Sequence, residues 1–94
     1  MIFEWDDNKS KANLKKHGIS FAEASSIFSD PLSLTVADPE HSENESRFID
    51  IGMSEQKRLL VVSYTERKKN IRIVSARCAL PFERRSYEEG KHSQ

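Results

Sequence analysis

The sequence lacks most of what would lock a small fold covalently or build a cofactor site. A single cysteine, Cys78, stands among 94 residues, which excludes an internal disulfide and fits a reducing compartment. The three glycines lie in no phosphate-cradling loop motif. His17, His41 and Cys78 do not have the spacing of metal ligands, so neither a metal nor another cofactor is expected. No apolar run approaches a membrane span, and the N-terminus has no charged-then-apolar leader pattern, so a soluble cytoplasmic protein is the expectation. Net charge is missing too, since 15 basic residues offset 15 acidic ones.

That zero conceals polarity. Residues 67–85 hold seven basic groups (Arg67, Lys68, Lys69, Arg72, Arg77, Arg84, Arg85) against Glu83. Residues 38–55 hold six acidic groups against Arg47. The basic end could bind phosphate, and the acidic segment could cover a basic site. With 36% hydrophobic residues, the chain fits one small domain with one core over residues 1–94, its tail frayed from about residue 90.

Local signals predict the order βααββββα. MIFEW reads as a short strand. Asp6 caps a helix over residues 7–17, on which Lys9, Asn13 and Lys16 share one face, and Gly18 ends it. Ser20 and Glu23 form a capping box for a second helix with Phe21, Ala24, Ile27 and Phe28 inward, ended by Asp30-Pro31. Leu32 to Val36 alternate as a strand with one buried face, RFIDIGM is another, and RLLVVSYT, apolar on both faces, is the central strand. Pro81 opens a last helix packed through Phe82 and Tyr87. Short connections between the last four strands predict an antiparallel meander, with helices mainly on one side of an α+β two-layer domain.

The strand NIRIVSARC, residues 70–78, raises the functional question. Strict alternation sends Arg72 and Arg77 to opposite faces, and an arginine inside an apolar strand must be paired or held out for an anion.

FEWDDNKSKANLKKHGISFAEA, DPLSLTVADPEHSENESRFIDIG, RLLVVSYTER, IRIVSAR and FERRSYEE, spanning Phe3 to Glu89, resemble the BrnT family of bacterial type II toxins. The most specific pieces are Trp5-Asp6 with Lys9, Asn13 and Lys16-His17-Gly18, the run Asp38–Glu43, and IRIVSAR. The resemblance implies a RelE-like compact fold and a ribonuclease that cleaves RNA and arrests translation. It also implies a BrnA-like antitoxin whose ribbon-helix-helix part binds operator DNA, in a two-plus-two complex. Residues 78–82, Cys-Ala-Leu-Pro-Phe, depart from the family's usual basic residue, alanine and hydroxyl cap. A second reading is therefore a weak or inactive binding module acting as a transcriptional co-repressor with its DNA-binding partner.

A metal-independent ribonuclease needs a base for the RNA 2′-OH, cations for the phosphorane and an acid for the leaving 5′-oxygen. Arg77 and Arg72 are the expected cations with Lys16 assisting, and both can serve one site only if the strand twists or bulges. The rival reading pairs each arginine with Glu4, Asp50 or Glu66. His17 is the first titrating candidate, against a helix-dipole role, and His41 the second. Lys9, Asn13, Arg67, Lys68, Lys69, Arg84 and Arg85 are candidate RNA contacts, against solvated surface. Trp5 and Tyr87 read as core anchors before base-stacking platforms.

Overall fold

The computed structural model describes residues 1–42 and 45–92, with side chains through Gly90. Glu43, part of the acidic run, and the end of the tail lie outside the described residues. Strand β1 (Ile2–Glu4) leads to helix α1 (Asp7–His17) and helix α2 (Phe21–Ser25), which continues as a 3₁₀ turn over Ser26–Ser29. Strands β2 (Leu34–Ala37), β3 (Arg47–Met53), β4 (Leu59–Arg67) and β5 (Asn70–Cys78) follow, and helix α3 (Pro81–His92) closes the order. Gly90 lies inside α3, which extends past the point where fraying was expected.

The caps form as the sequence predicts. Asp6 accepts from the Lys9 N–H at 3.0 Å. Gly18 sits at φ 72°, which L side chains rarely adopt, and its N–H closes on Leu14. Ser20 accepts from the Glu23 N–H at 3.0 Å. The capping box is only half made, because the Glu23 carboxylate turns away to Ser54 and Arg58.

The sheet order is β1-β5-β4-β3-β2, with β4 central. Strands β2 to β5 form the expected antiparallel meander. The sheet as a whole is mixed, because β1 pairs parallel with the first residues of β5. One face packs Leu60, Val62, Tyr64, Ile71, Ile73 and Ala76 against Ile19, Phe21, Ala24 and Ile27 of the α1–α2 region. Gly52 permits that closeness, since a Cβ there would lie 3.0 Å from Ile27 Cβ and 3.1 Å from Ser33 Cβ.

Helices α1 and α2 share one face, as expected of helices mainly on one side, and α3 packs on the opposite face. Tyr87 joins Ile51, Leu59 and Val61 there, and its hydroxyl donates to Asp30 at 2.7 Å. Asp30 also accepts from the Leu32 and Met53 backbones, so the carboxylate that ends α2 also anchors α3. The buried face expected for β2 is only partly realised, with Val36 at 56% exposure on the edge strand. Among the described residues, no helix is long and apolar enough to cross a membrane.

Strand β1 covers β5 only as far as Arg72. Below it, Asn13 of α1 stands in for a neighbouring strand: its Oδ1 accepts from Ala76 N–H at 3.1 Å and its Nδ2 donates to Ala76 C=O at 2.9 Å. Nδ2 also donates to Ile19 C=O at 2.9 Å. Asn13 is therefore buried and saturated by backbone, not available to RNA beside Lys9 and Lys16. Replacing Asn13 with Ala orphans three backbone groups, so Asn13→Ala is expected to cost about 2–4 kcal/mol in urea unfolding. Asn13→Asp, which sets a carboxylate against two carbonyls, should cost more.

Candidate functional site

The candidate site begins with one residue out of step. Ser63 pairs with Ser75 and Tyr64 with Ile73, which leaves Val74 unopposed in a β-bulge. The extra residue shifts the phase of β5 by one. Ile71, Ile73 and Ala76 then all face the α1–α2 core, while Arg72, opposite Thr65, and Arg77, opposite Val61, share the other face. Strict alternation separates the two arginines; the bulge reunites them.

On that face the register defines rows across the strands. Helix α3 follows the row Arg77–Val61–Ile51–Leu34, from the Arg77–Glu83 contact at one end to Gly90 against Leu34 at the other. Arg77 is held by Glu83 through bonds of 2.7 and 2.8 Å, a partner outside the three considered from sequence. Glu83 also accepts from Leu80 N–H at 2.8 Å, capping α3 where Leu80 offers no side-chain cap. Arg77 is thus a clamp between β5 and α3, its guanidinium engaged by Glu83.

Two rows further along lie Arg47, Thr65 and Arg72, on β3, β4 and β5 in register. The Arg72 side chain makes no hydrogen bond or salt bridge among the described residues, its backbone being paired in the sheet. The Nε of Arg47 and the Oγ1 of Thr65 are buried without a hydrogen-bond partner, and an orphaned buried polar group costs about 1–3 kcal/mol. Neither residue was singled out from sequence. Their signal was faint, because a threonine near the end of an apolar strand reads as ordinary β propensity.

The acidic segment does reach this basic end. Glu45 binds Arg67 through two bonds of 2.6 Å. Its carboxyl is held below the usual range by Arg67 first, with smaller help from Thr65 and Arg72. Glu45 stands near Thr65, but the Thr65 hydroxyl meets no acceptor in hydrogen-bond geometry and stays buried without a partner. Lys68 and Lys69 form the exposed hairpin tip beside this row, with Lys68 at φ 56°.

The remaining candidates divide by face. His17, Lys16 and Lys9 are exposed on α1, on the side of the sheet opposite Arg72, so the expected cluster of His17 and Lys16 with the two arginines does not assemble. Arg84 and Arg85 are exposed on α3. Trp5 and Tyr87 pack as anchors. His41 is better placed than its ranking from sequence. Its Nδ1 lies 2.9 Å from Asp38 Oδ2, and its loop is stitched to Arg47: Asp38 N–H donates to Arg47 C=O at 2.8 Å, and Arg47 N–H donates to Ser42 Oγ at 3.0 Å. A separate cleft lined by Ser26, Ser29, Asp30, Met53, Ser54 and Glu55 sits at the other end of β3. Its two carboxylates and lack of cations make it the wrong place for an anion.

A family model described as the ribonuclease toxin BrnT of a type II toxin–antitoxin system matches residues 5–83. The crystal structure of the Brucella abortus ribonuclease toxin BrnT is similar, with a TM-score of 0.61 and 21% identity, covering 85% of this chain and 99% of that one. No curated protein matches.

The Glu83 and Glu23 carboxyls are both held low, chiefly by the Arg77 and Arg58 guanidinium groups respectively, against opposing burial. Depressed pKa values stabilise the fold above the unfolded-state pKa, and that stability is lost as pH falls through the folded values. Stability is therefore expected to decline below about pH 4.5. Glu83→Gln should flatten part of that decline and cost about 1–2 kcal/mol at pH 7, read by urea unfolding across pH.

Proposed function

The chain belongs to the BrnT family of type II ribonuclease toxins, and from that premise we propose that it cleaves RNA without a metal and so inhibits translation in the cytoplasm. The observation that carries this reading is the Val74 bulge, which gathers the arginines of β5 on one face, where Arg72, unlike Arg77, closes no salt bridge among the described residues. A permanently charged planar guanidinium suits the phosphorane, whose extra negative charge develops only in the transition state.

In this reading a base removes the 2′-OH proton and the 2′-oxygen attacks the adjacent phosphorus. The P–O5′ bond breaks, leaving a 2′,3′-cyclic phosphate, and an acid protonates the 5′-oxygen. Arg72 stabilises the phosphorane. His41, its Nδ1 set by Asp38, is the histidine whose loop is tied to the arginine row, and it takes a proton-transfer role in preference to His17. Arg77 positions the strand through Glu83. Lys68, Lys69, Arg84 and Arg85 guide the RNA backbone, with Arg67 joining once Glu45 is displaced.

A BrnA-like antitoxin with a ribbon-helix-helix DNA-binding part would neutralise the toxin by covering the same basic face. The pair, in a two-plus-two complex, would bind operator DNA through the antitoxin. The commitment of Arg77 to Glu83, and the absence of a cation from residues 78–82, favour one rival reading: a weakly catalytic co-repressor.

Induced expression without the antitoxin, following growth and protein synthesis, separates the two. The wild type is expected to arrest growth, Arg72→Gln to relieve the arrest while remaining folded, and His41→Gln to slow RNA cleavage about 10²-fold or more. Folded wild-type protein with no arrest and no RNA cleavage would establish the co-repressor reading instead.

A further inference from the structure

We propose that Arg47, Thr65 and Arg72 form a phosphate-binding site for an RNA strand, with the Glu45 carboxylate standing guard beside it as the anion that RNA displaces. This rests on the ribonuclease reading for its substrate class, but the site itself rests on packing. The three residues lie in one register row on adjacent strands. Strands are spaced about 4.8 Å apart, so the two arginines straddle the central threonine at a separation that a tetrahedral group can bridge.

The donor set selects the ligand. Both arginines only donate, and the threonine hydroxyl is able to donate. The complement is a group rich in acceptor oxygens. Thr65 is 6% exposed, yet its hydroxyl has no partner, and the buried Arg47 Nε is equally unmet. Nothing in the fold requires a hydroxyl at that position; valine has the same shape and would leave no polar atom unsatisfied.

The surrounding charges explain how the site is kept without a ligand. Glu45 is clasped by Arg67 and lies close enough to Thr65 and Arg72 to feel both. Glu4 is the β1 partner of Arg72 and also faces Arg67. These two carboxylates temper the field of Arg47, Arg67 and Arg72 without supplying the missing acceptors. A phosphodiester would meet the orphaned donors in place of the Glu45 carboxylate.

The test uses the full chain and inorganic phosphate as the probe, followed by backbone-amide NMR shifts. Phosphate is expected to bind at a Kd of about 1–10 mM, with the largest shifts at residues 47, 65 and 72. Thr65→Val should weaken binding about fivefold or more while raising Tm by about 4–8 °C, because the orphaned hydroxyl is gone. That opposite movement separates a ligand site from a merely structural residue. Glu45→Gln should tighten binding about threefold or more, and Lys11→Gln, on the other face of the sheet, should change nothing.

A 2′-O-methyl RNA oligonucleotide, which cannot be cleaved, should compete with phosphate for the same amides. Unchanged phosphate affinity in Thr65→Val, or shifts centred on Lys9 and Lys16, would overturn the site. Failure of the oligonucleotide to compete would overturn its assignment to RNA. RNA bound at these amides but never cleaved would leave the site standing and remove the ribonuclease reading. Cleavage by Thr65→Val at the wild-type rate would do the reverse.

Discussion

One unpaired residue, Val74, reconciles two demands that a regular β5 could not meet together. The strand must keep an apolar face against α1 and α2 along its whole length, and it must keep guanidinium groups out of that core. A side-chain period of two fails, because Arg77 lies an odd five positions after Arg72 and strict alternation sends one of them inward. Burying an unpaired guanidinium costs several kcal/mol, far more than a local break in the ladder. With the bulge, Ile73 and Ala76 remain on the core side and both arginines reach the other.

The balanced charge count follows from how the arginines are sorted. Three of them are committed to single carboxylates: Arg58 to Glu23, Arg67 to Glu45 and Arg77 to Glu83. Each pair ties together separate segments of the chain, and the Arg58–Glu23 pair is the most deeply set, with the glutamate side chain 2% exposed. Such pairs orient elements more than they strengthen the fold. Arg47 and Arg72 are left out of this scheme, and they flank the buried hydroxyl that also lacks a partner. A neutral sequence thus becomes a fold with one concentrated, unsatisfied donor row.

What was legible in the sequence was local. Asp6, Gly18 and Ser20 cap their helices through partners within four residues, and hydrophobic alternation places β3, β4 and β5 correctly. What was not legible depended on distant partners. Asn13 shares a helical face with Lys9 and Lys16, yet its amide is claimed by Ala76, 63 residues away. Tyr87 takes α3 to the far face because Asp30 awaits its hydroxyl there. His17 outranked His41 because a histidine after two lysines stands out in a sequence, whereas the Asp38–His41 contact depends on a loop shape that composition does not reveal. The bulge itself carries no residue signature, since Val74 would suit a regular strand equally well.

The start of α3 shows how a missing side-chain cap can be replaced. Leu80 cannot cap α3 and Pro81 has no N–H to satisfy, so the first turn depends on what reaches back to it. Glu83 does so, accepting from the Leu80 N–H while its two oxygens also bind Arg77. One carboxylate therefore starts the helix and fastens it to the sheet. The same arrangement engages the Arg77 guanidinium, and it leaves Leu80 and Phe82 exposed. Arg72, farther along the same face of β5, is tied to no helix end.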